Sequence, residues 1–211
     1  MLELLASDPR SLSSVRDPAE AWRAHVADSL TGLEVSALQS ARAIADVGSG
    51  AGFPGLVLAV ALPAAEVDLI ESVARKCDFV REAAARAGID NVRVINARSE
   101  EHAKTEGREA YNAVTARAVG RLATLAELAS PLLRENGTLV AWKGRRDPDE
   151  EAELSRASEA LAMAPRKVIE VGETAGYENR HLHVVRKSGR TPANLPRRPG
   201  VAKKRPYGAQ G

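Results

Sequence analysis

From residue 41 onward, short apolar runs alternate with amphipathic stretches, the pattern of strands each followed by a helix. Ala43–Val47 and Glu66–Glu71 read as the first two strands, and Val92–Ile95, Asn112–Ala116 and Thr138–Trp142 as the next three. Helices are expected over Pro54–Leu62, Ala74–Ala87, Leu122–Leu133 and Asp149–Met163. In the second of these, Cys77, Val80, Ala84 and Ala87 share one face, Glu82 and Arg86 form an i,i+4 pair, and Gly88 is placed to end it. Lys167–Val171 and His181–Val185 follow with no clear helix between them, which predicts an antiparallel edge. Residues 1–40 read as helical, with Asp17 as N-cap, Pro18 at the first helical position and Glu20 at the third. The pattern predicts an α/β fold built on a mostly parallel, doubly wound sheet. A helical segment (1–40) packs on the main domain (41–187), and a tail (188–211) follows.

The chain has 211 residues, 44% hydrophobic and 27% charged, enough for one domain with a sizeable core. Aromatics are only 3%, which argues against a nucleic-acid platform of stacked rings. The one cysteine, Cys77, forms no intrachain disulfide and sits on an apolar helix face, so it reads as core in a reducing compartment. Met1–Leu5 has an acid and no basic stretch, unlike a signal peptide, and the run Phe53–Ala65 is broken by Pro54, Gly55 and Pro63, so no bilayer span is expected. A cytoplasmic monomer without a membrane partner is the expectation.

Charge changes the picture more. The net +2 hides eight basic residues and no acid from Arg186 onward, against 22 basic and 28 acidic residues before it. Four prolines (Pro192, Pro196, Pro199, Pro206) make the tail an expected extended, poorly packed segment. A basic tail on an acidic body suits a polyanion such as RNA, although a solvated end would look the same.

The most informative stretch runs from Asp46 to Gly55 (Asp-Val-Gly-Ser-Gly-Ala-Gly-Phe-Pro-Gly), between the first strand and its helix. Gly50, Gly52 and Gly55 satisfy a dinucleotide fingerprint, and Glu71 ends strand two, where an acid grips ribose hydroxyls. A pyrophosphate wants a helix N-terminus without a nearby carboxylate, whereas a cationic ligand such as S-adenosylmethionine suits an acidic lip. Asp46, two residues before Gly48, favours the cationic ligand, with the alternative that it merely caps the turn. Lys143, Arg145 and Arg146 fall just past strand five, the edge at which open α/β sheets bind ligands, and three cations there suit substrate phosphates. As a bare charge run they would be solvated surface. His25, His102, His181 and His183 lack zinc-site spacing, so no metal is expected; the last two suit a weakly exposed sheet face. No serine stands in a nucleophile elbow.

Taken in order, several motifs resemble the bacterial 16S ribosomal RNA guanine-N7 methyltransferase family, also called glucose-inhibited division protein B. They are Ser14-Val15-Arg16-Asp17-Pro18, His25-x-x-Asp28-Ser29, the Asp46–Gly55 turn, Arg98-Ser99-Glu100-Glu101, Thr115-Ala116-Arg117-Ala118 and Trp142-Lys143-Gly144. The resemblance runs from about Leu12 to the tail. Family members usually carry Leu where Phe53 stands and a longer helical segment before Leu12. The resemblance implies a Rossmann-like methyltransferase fold using S-adenosylmethionine on 16S ribosomal RNA or the small ribosomal subunit. To Asp46, Gly50, Gly52 and Glu71, read as cofactor-binding from the turn itself, the resemblance adds Gly48 and Phe53 lining the cofactor, Ser99 and Glu100 beside the adenine, and Arg117 facing cofactor and base. Arg117 and Lys143 would serve the reaction by positioning, while Lys143, Arg145, Arg146, Lys203, Lys204 and Arg205 would hold RNA. Three other readings stay open: a small-molecule methyltransferase, a non-catalytic RNA- or ribosome-binding module, and, last, a nicotinamide dehydrogenase.

Overall fold

The computed structural model describes residues 2–7, 15, 17–172 and 179–209. Ser14, Arg16 and the helical reading of 8–14 lie outside the described residues, as does most of the stretch between the last two strands. Seven strands among the described residues form one sheet: β1 (Ala43–Val47), β2 (Glu66–Glu71), β3 (Val92–Asn96), β4 (Tyr111–Arg117), β5 (Leu133–Lys143), β6 (Met163–Glu170) and β7 (His181–Lys187). Their order is β3-β2-β1-β4-β5-β7-β6. The first five are parallel, and β7 runs antiparallel to both β5 and β6. The strand order reverses between β1 and β4, so the carboxyl ends of these strands border the crevice where such sheets take ligands.

Alternation along the strands divides the apolar residues between the two faces of the sheet. Ile44, Leu69, Ala113, Val140 and Leu182 join one cluster, which α5 (Gly55–Ala61) and α6 (Ala74–Ala87) complete through Leu56, Leu58, Phe79 and Val80. Ala45, Ile70, Val114, Leu139 and Val185 face the other, filled by α8 (Leu122–Ala129) and α9 (Pro148–Leu161) through Leu122, Leu125, Leu154 and Leu161. Ahead of β1 stand α1 (Leu2–Ser7), α2 (Pro18–Ala21), the wider turns Trp22–Ala27, α3 (Asp28–Leu30) and α4 (Ser36–Gln39). This segment is tied to the sheet by Trp142, whose indole N–H donates to the carbonyl of Asp28 at 2.8 Å. A short α7 (Ser99–His102) follows β3, and α10 (Val201–Lys204) lies near the end.

The expected β1, β2 and α6 match the observed bounds, and Gly88 caps α6 at φ 63°. Two junctions differ. The helix expected to reach Leu133 ends at Ala129, and β5 starts at Leu133. Tyr111 pairs with Leu133 but Ala113 with Thr138, so Asn136 and Gly137 sit in a bulge within the strand. Ala162, at φ 50°, ends α9 two residues early and sends Met163 into β6. His181 and His183 are buried, not weakly exposed.

The larger correction concerns the tail. It was expected to be extended and poorly packed, yet Leu195 and Ala202 are buried. Leu195 enters the apolar cluster of α8 and α9, and Arg197 forks onto the buried Glu127, with Nε 2.6 Å from Oε1. Two apolar anchors and a paired cation fix a segment whose composition alone predicts solvation. Among the described residues, no helix is long and apolar enough to cross a membrane.

Candidate active site

The Gly-rich turn is fastened to the neighbouring strand. Gly48 and Ser49 donate their N–H groups to the carbonyl of Ile70 at 2.8 and 3.2 Å, and Gly50 N–H donates to Glu71 Oε2 at 3.1 Å. Glu71 Oε1 also accepts from Val73 N–H at 2.8 Å, so this acid braces the turn and the start of α6 together. A Cβ on Gly55 would stand 2.0 Å from Leu69 and 2.8 Å from Asp46, so only glycine lets α5 approach the sheet this closely.

Asp46 is fully buried, and both oxygens are engaged: Oδ2 accepts from Gly55 N–H and Oδ1 from the Thr115 hydroxyl, each at 2.9 Å. A protein carboxylate therefore occupies the first N–H of α5, where a pyrophosphate would otherwise be anchored. The crevice suits a ligand without phosphates. Asp46 caps the turn and meets a ligand only through its charge. Burial pushes its pKa up to about 6, against the opposing pull of its two hydrogen bonds. The native state therefore holds this proton more tightly than the unfolded chain, so the group favours folding most at low pH, and that contribution is lost as pH rises through about 6. Asp46→Asn keeps an acceptor for Gly55 and abolishes the titration. Between pH 4 and pH 7 its stability should improve relative to the parent by up to about 3 kcal/mol, read as the difference in urea unfolding. A pH-independent difference would contradict the buried charge.

Two clefts open at the carboxyl edge. The first, about 220 Å³, is lined by Gly48, Ser72, Ser99, Glu100, Val119 and, from the tail, Lys203 among others. Ser99 and Glu100 are both buried, and the serine hydroxyl donates to Glu100 Oε2 at 3.2 Å. Backbone at glycine, two hydroxyls and a buried carboxylate form a donor and acceptor set that fits an adenosine-bearing ligand. The second cleft, about 450 Å³, is bordered by His25, Arg117, Gly120, Trp142, Lys143 and Arg180. The loop 117–120 contributes to both: Val119 to the first, Arg117, Ala118 and Gly120 to the second. Ala118 takes φ 58° there, a left-handed conformation costly for a residue with a Cβ.

Arg117 belongs to the second cleft. Its Nη1 donates to Asp28 Oδ2 at 2.9 Å and to the Ala24 carbonyl at 2.8 Å. Asp28, fully buried, is also 2.8 Å from Arg180 Nε, so one carboxylate holds two guanidinium groups at the cleft. His25 stacks on Phe53 with ring centroids 4.7 Å apart, and its pKa is lowered by burial and then by Arg117. Phe53 is thus buried beneath the N-terminal segment and lies outside the first cleft's wall. Lys143 donates to Gly120 O at 3.0 Å and Glu150 Oε1 at 2.9 Å. Arg146 is forked onto Glu151 at 2.6 and 2.7 Å, and it is exposed, as are Arg145, Lys203, Lys204 and Arg205. Gly50 and Gly52, at φ 60° and 95°, shape the turn without lining the cleft.

The structure brings Gly48, Ser99, Glu100 and Lys203 to one cleft and Arg117 and Lys143 to the next. Sequence reasoning gave no role to Asp28, although the His25-x-x-Asp28 spacing places the two one helical turn apart, and it missed Arg180, which carries no local signal.

A family model described as GidB, rRNA small subunit methyltransferase G, matches residues 4–183. A ribosomal RNA small subunit methyltransferase G from Pelotomaculum thermopropionicum is 38% identical over 197 residues, covering 93% of this chain and 82% of the relative. One from Rubrobacter xylanophilus is 41% identical over 196 residues, covering 90% and 75%. Among solved structures, an S-adenosylmethionine-dependent methyltransferase from Aquifex aeolicus superposes with a TM-score of 0.61 at 18% identity, over 85% of this chain and 98% of the other, a likeness of fold.

Proposed function

This chain belongs to the rRNA small subunit methyltransferase G family, and from that membership and the two clefts we propose that it methylates N7 of a guanine in 16S ribosomal RNA. It is an S-adenosylmethionine-dependent methyltransferase of small-subunit ribosomal RNA. The observation that supports the finer reading is that residues 117–120 border both clefts, so that a cofactor in one and a base in the other would lie on either side of a single loop.

When bound, S-adenosylmethionine supplies an electrophilic methyl group on a sulfonium. In this reading Gly48 and the β3–α7 segment with Ser99 and Glu100 hold its adenosine part, while Glu71 and Asp46 hold the turn and contribute negative charge beside a cationic ligand. Guanine N7 has a free lone pair and carries no proton, so attack on the methyl carbon needs no general base. Arg117, Lys143 and Arg180 make the second cleft cationic, which suits holding a nucleotide and its phosphates. Holding both partners in near-attack geometry can supply roughly 7–11 kcal/mol of the barrier reduction. The acidic body would repel RNA without these cations and the exposed Arg145, Lys203, Lys204 and Arg205. The partner is 16S RNA, free or in the small subunit, met in the cytoplasm by a monomeric enzyme.

The cofactor part is tested by calorimetry with S-adenosylmethionine and NAD in parallel. Binding of the first and none of the second is expected. Preference for NAD would overturn the proposal.

A further inference from the structure

Residues 188–209 do more than pack on the body; they close one side of the first cleft. Gly200, Ala202 and Lys203 line it together with Gly48 and Ser99. Gly200 N–H donates to Glu100 Oε1 at 2.9 Å, the oxygen that the Ser99 hydroxyl leaves free. Thr124 of α8 donates to the Ala202 carbonyl at 3.3 Å. The segment is locked by Arg197, whose guanidinium forks onto Glu127, lies 4.3 Å from the centre of the Tyr207 ring and donates to the Arg205 carbonyl at 2.8 Å. Glu127 is only 3% exposed, so its charge depends on this partner. Farther on, Arg156 donates to the Gly208 carbonyl at 2.8 Å.

Resting on the reading that the first cleft holds S-adenosylmethionine, we propose that Arg197–Lys204 is the outer wall of the cofactor site and that the Arg197–Glu127 pair positions it. The wall supplies three lining residues and satisfies the buried Glu100, the carboxylate expected beside the adenine. Undocking it would open the cleft to water on that side and leave Glu100 short of a donor. Arg197 touches no cleft atom itself, so it is a positioning residue acting through the segment it holds.

The test is calorimetry with S-adenosylmethionine on full-length protein, Arg197→Ala, the exchanged pair Arg197→Glu with Glu127→Arg, and Arg190→Ala as a control outside the wall. Arg197→Ala should weaken binding by at least about tenfold, the exchanged pair should recover part of that loss, and Arg190→Ala should match the parent. A second measurement needs no variant: saturating S-adenosylmethionine should slow tryptic cleavage after Lys203 and Lys204 in the full-length protein. Failure of the parent to bind S-adenosylmethionine would overturn the reading of the cleft, and the wall with it. Parent binding with equal affinity in Arg197→Ala, and tail cleavage indifferent to cofactor, would overturn the wall alone.

Discussion

Arg117→Ala should slow single-turnover methyl transfer by about a hundredfold at saturating cofactor, while cofactor affinity changes by less than about threefold. The two readouts separate because Arg117 lines the second cleft and none of the first. Its guanidinium is held by Asp28 and the Ala24 carbonyl, so the side chain is pre-oriented before any substrate arrives. Losing it removes orientation of the base, which appears in the chemical step. The fold should survive, since Asp28 keeps its contact with Arg180. The destabilisation should therefore fall short of the roughly 3–5 kcal/mol that follows when a buried charge is left without any partner. A normal single-turnover rate would reduce Arg117 to a strut for the N-terminal helices.

The second large effect is expected at Gly48. Its φ is 69°, and an added Cβ would stand 2.8 Å from Val119 Cγ2, on the loop that separates the two clefts. Gly48→Val should lower S-adenosylmethionine affinity by at least about thirtyfold, since the new side chain and the displaced Val119 would crowd the cleft that both residues line, while the strained backbone costs about 1–2 kcal/mol of stability. Thermal unfolding would fall as well, by a few degrees. Affinity unchanged in calorimetry would show that the cofactor does not lie against this turn.

How much of this was legible in the sequence depended on how far apart the interacting residues lie. β1 and β2 were readable because buried apolar runs end at turn residues, and α6 because Gly88 stands where a left-handed cap is needed. The start of β5 was not: Leu132 and Leu133 continue the apolar period of α8, and only pairing with Tyr111 makes Leu133 a strand residue. Nothing local marks Ala162 as left-handed. In the site, the Gly-rich turn and its acids announced themselves by spacing, but the engagement of Asp46 with Thr115 spans 69 positions. The tail misled for the same reason. Its prolines and cations are a composition signal, whereas Leu195 in the core and Arg197 on Glu127 are long-range facts.

Arg180 extends the lesson. It meets Asp28 across most of the chain, and together with Arg117 gives the second cleft its positive rim. A buried carboxylate shared by two guanidinium groups leaves one net positive charge, enough to attract a phosphate without leaving an unpaired cation in the body.

On the proposed function, this chain places a methyl group on guanine N7 of 16S ribosomal RNA. The most direct measurement offers the full-length protein isotopically labelled S-adenosylmethionine and unmodified 16S RNA, both free and in the small subunit. The RNA is then digested to nucleosides and the labelled product is identified. Label is expected in 7-methylguanosine and nowhere else. Label in a different nucleoside, in the ribose, or absent from RNA while the protein binds S-adenosylmethionine would contradict it.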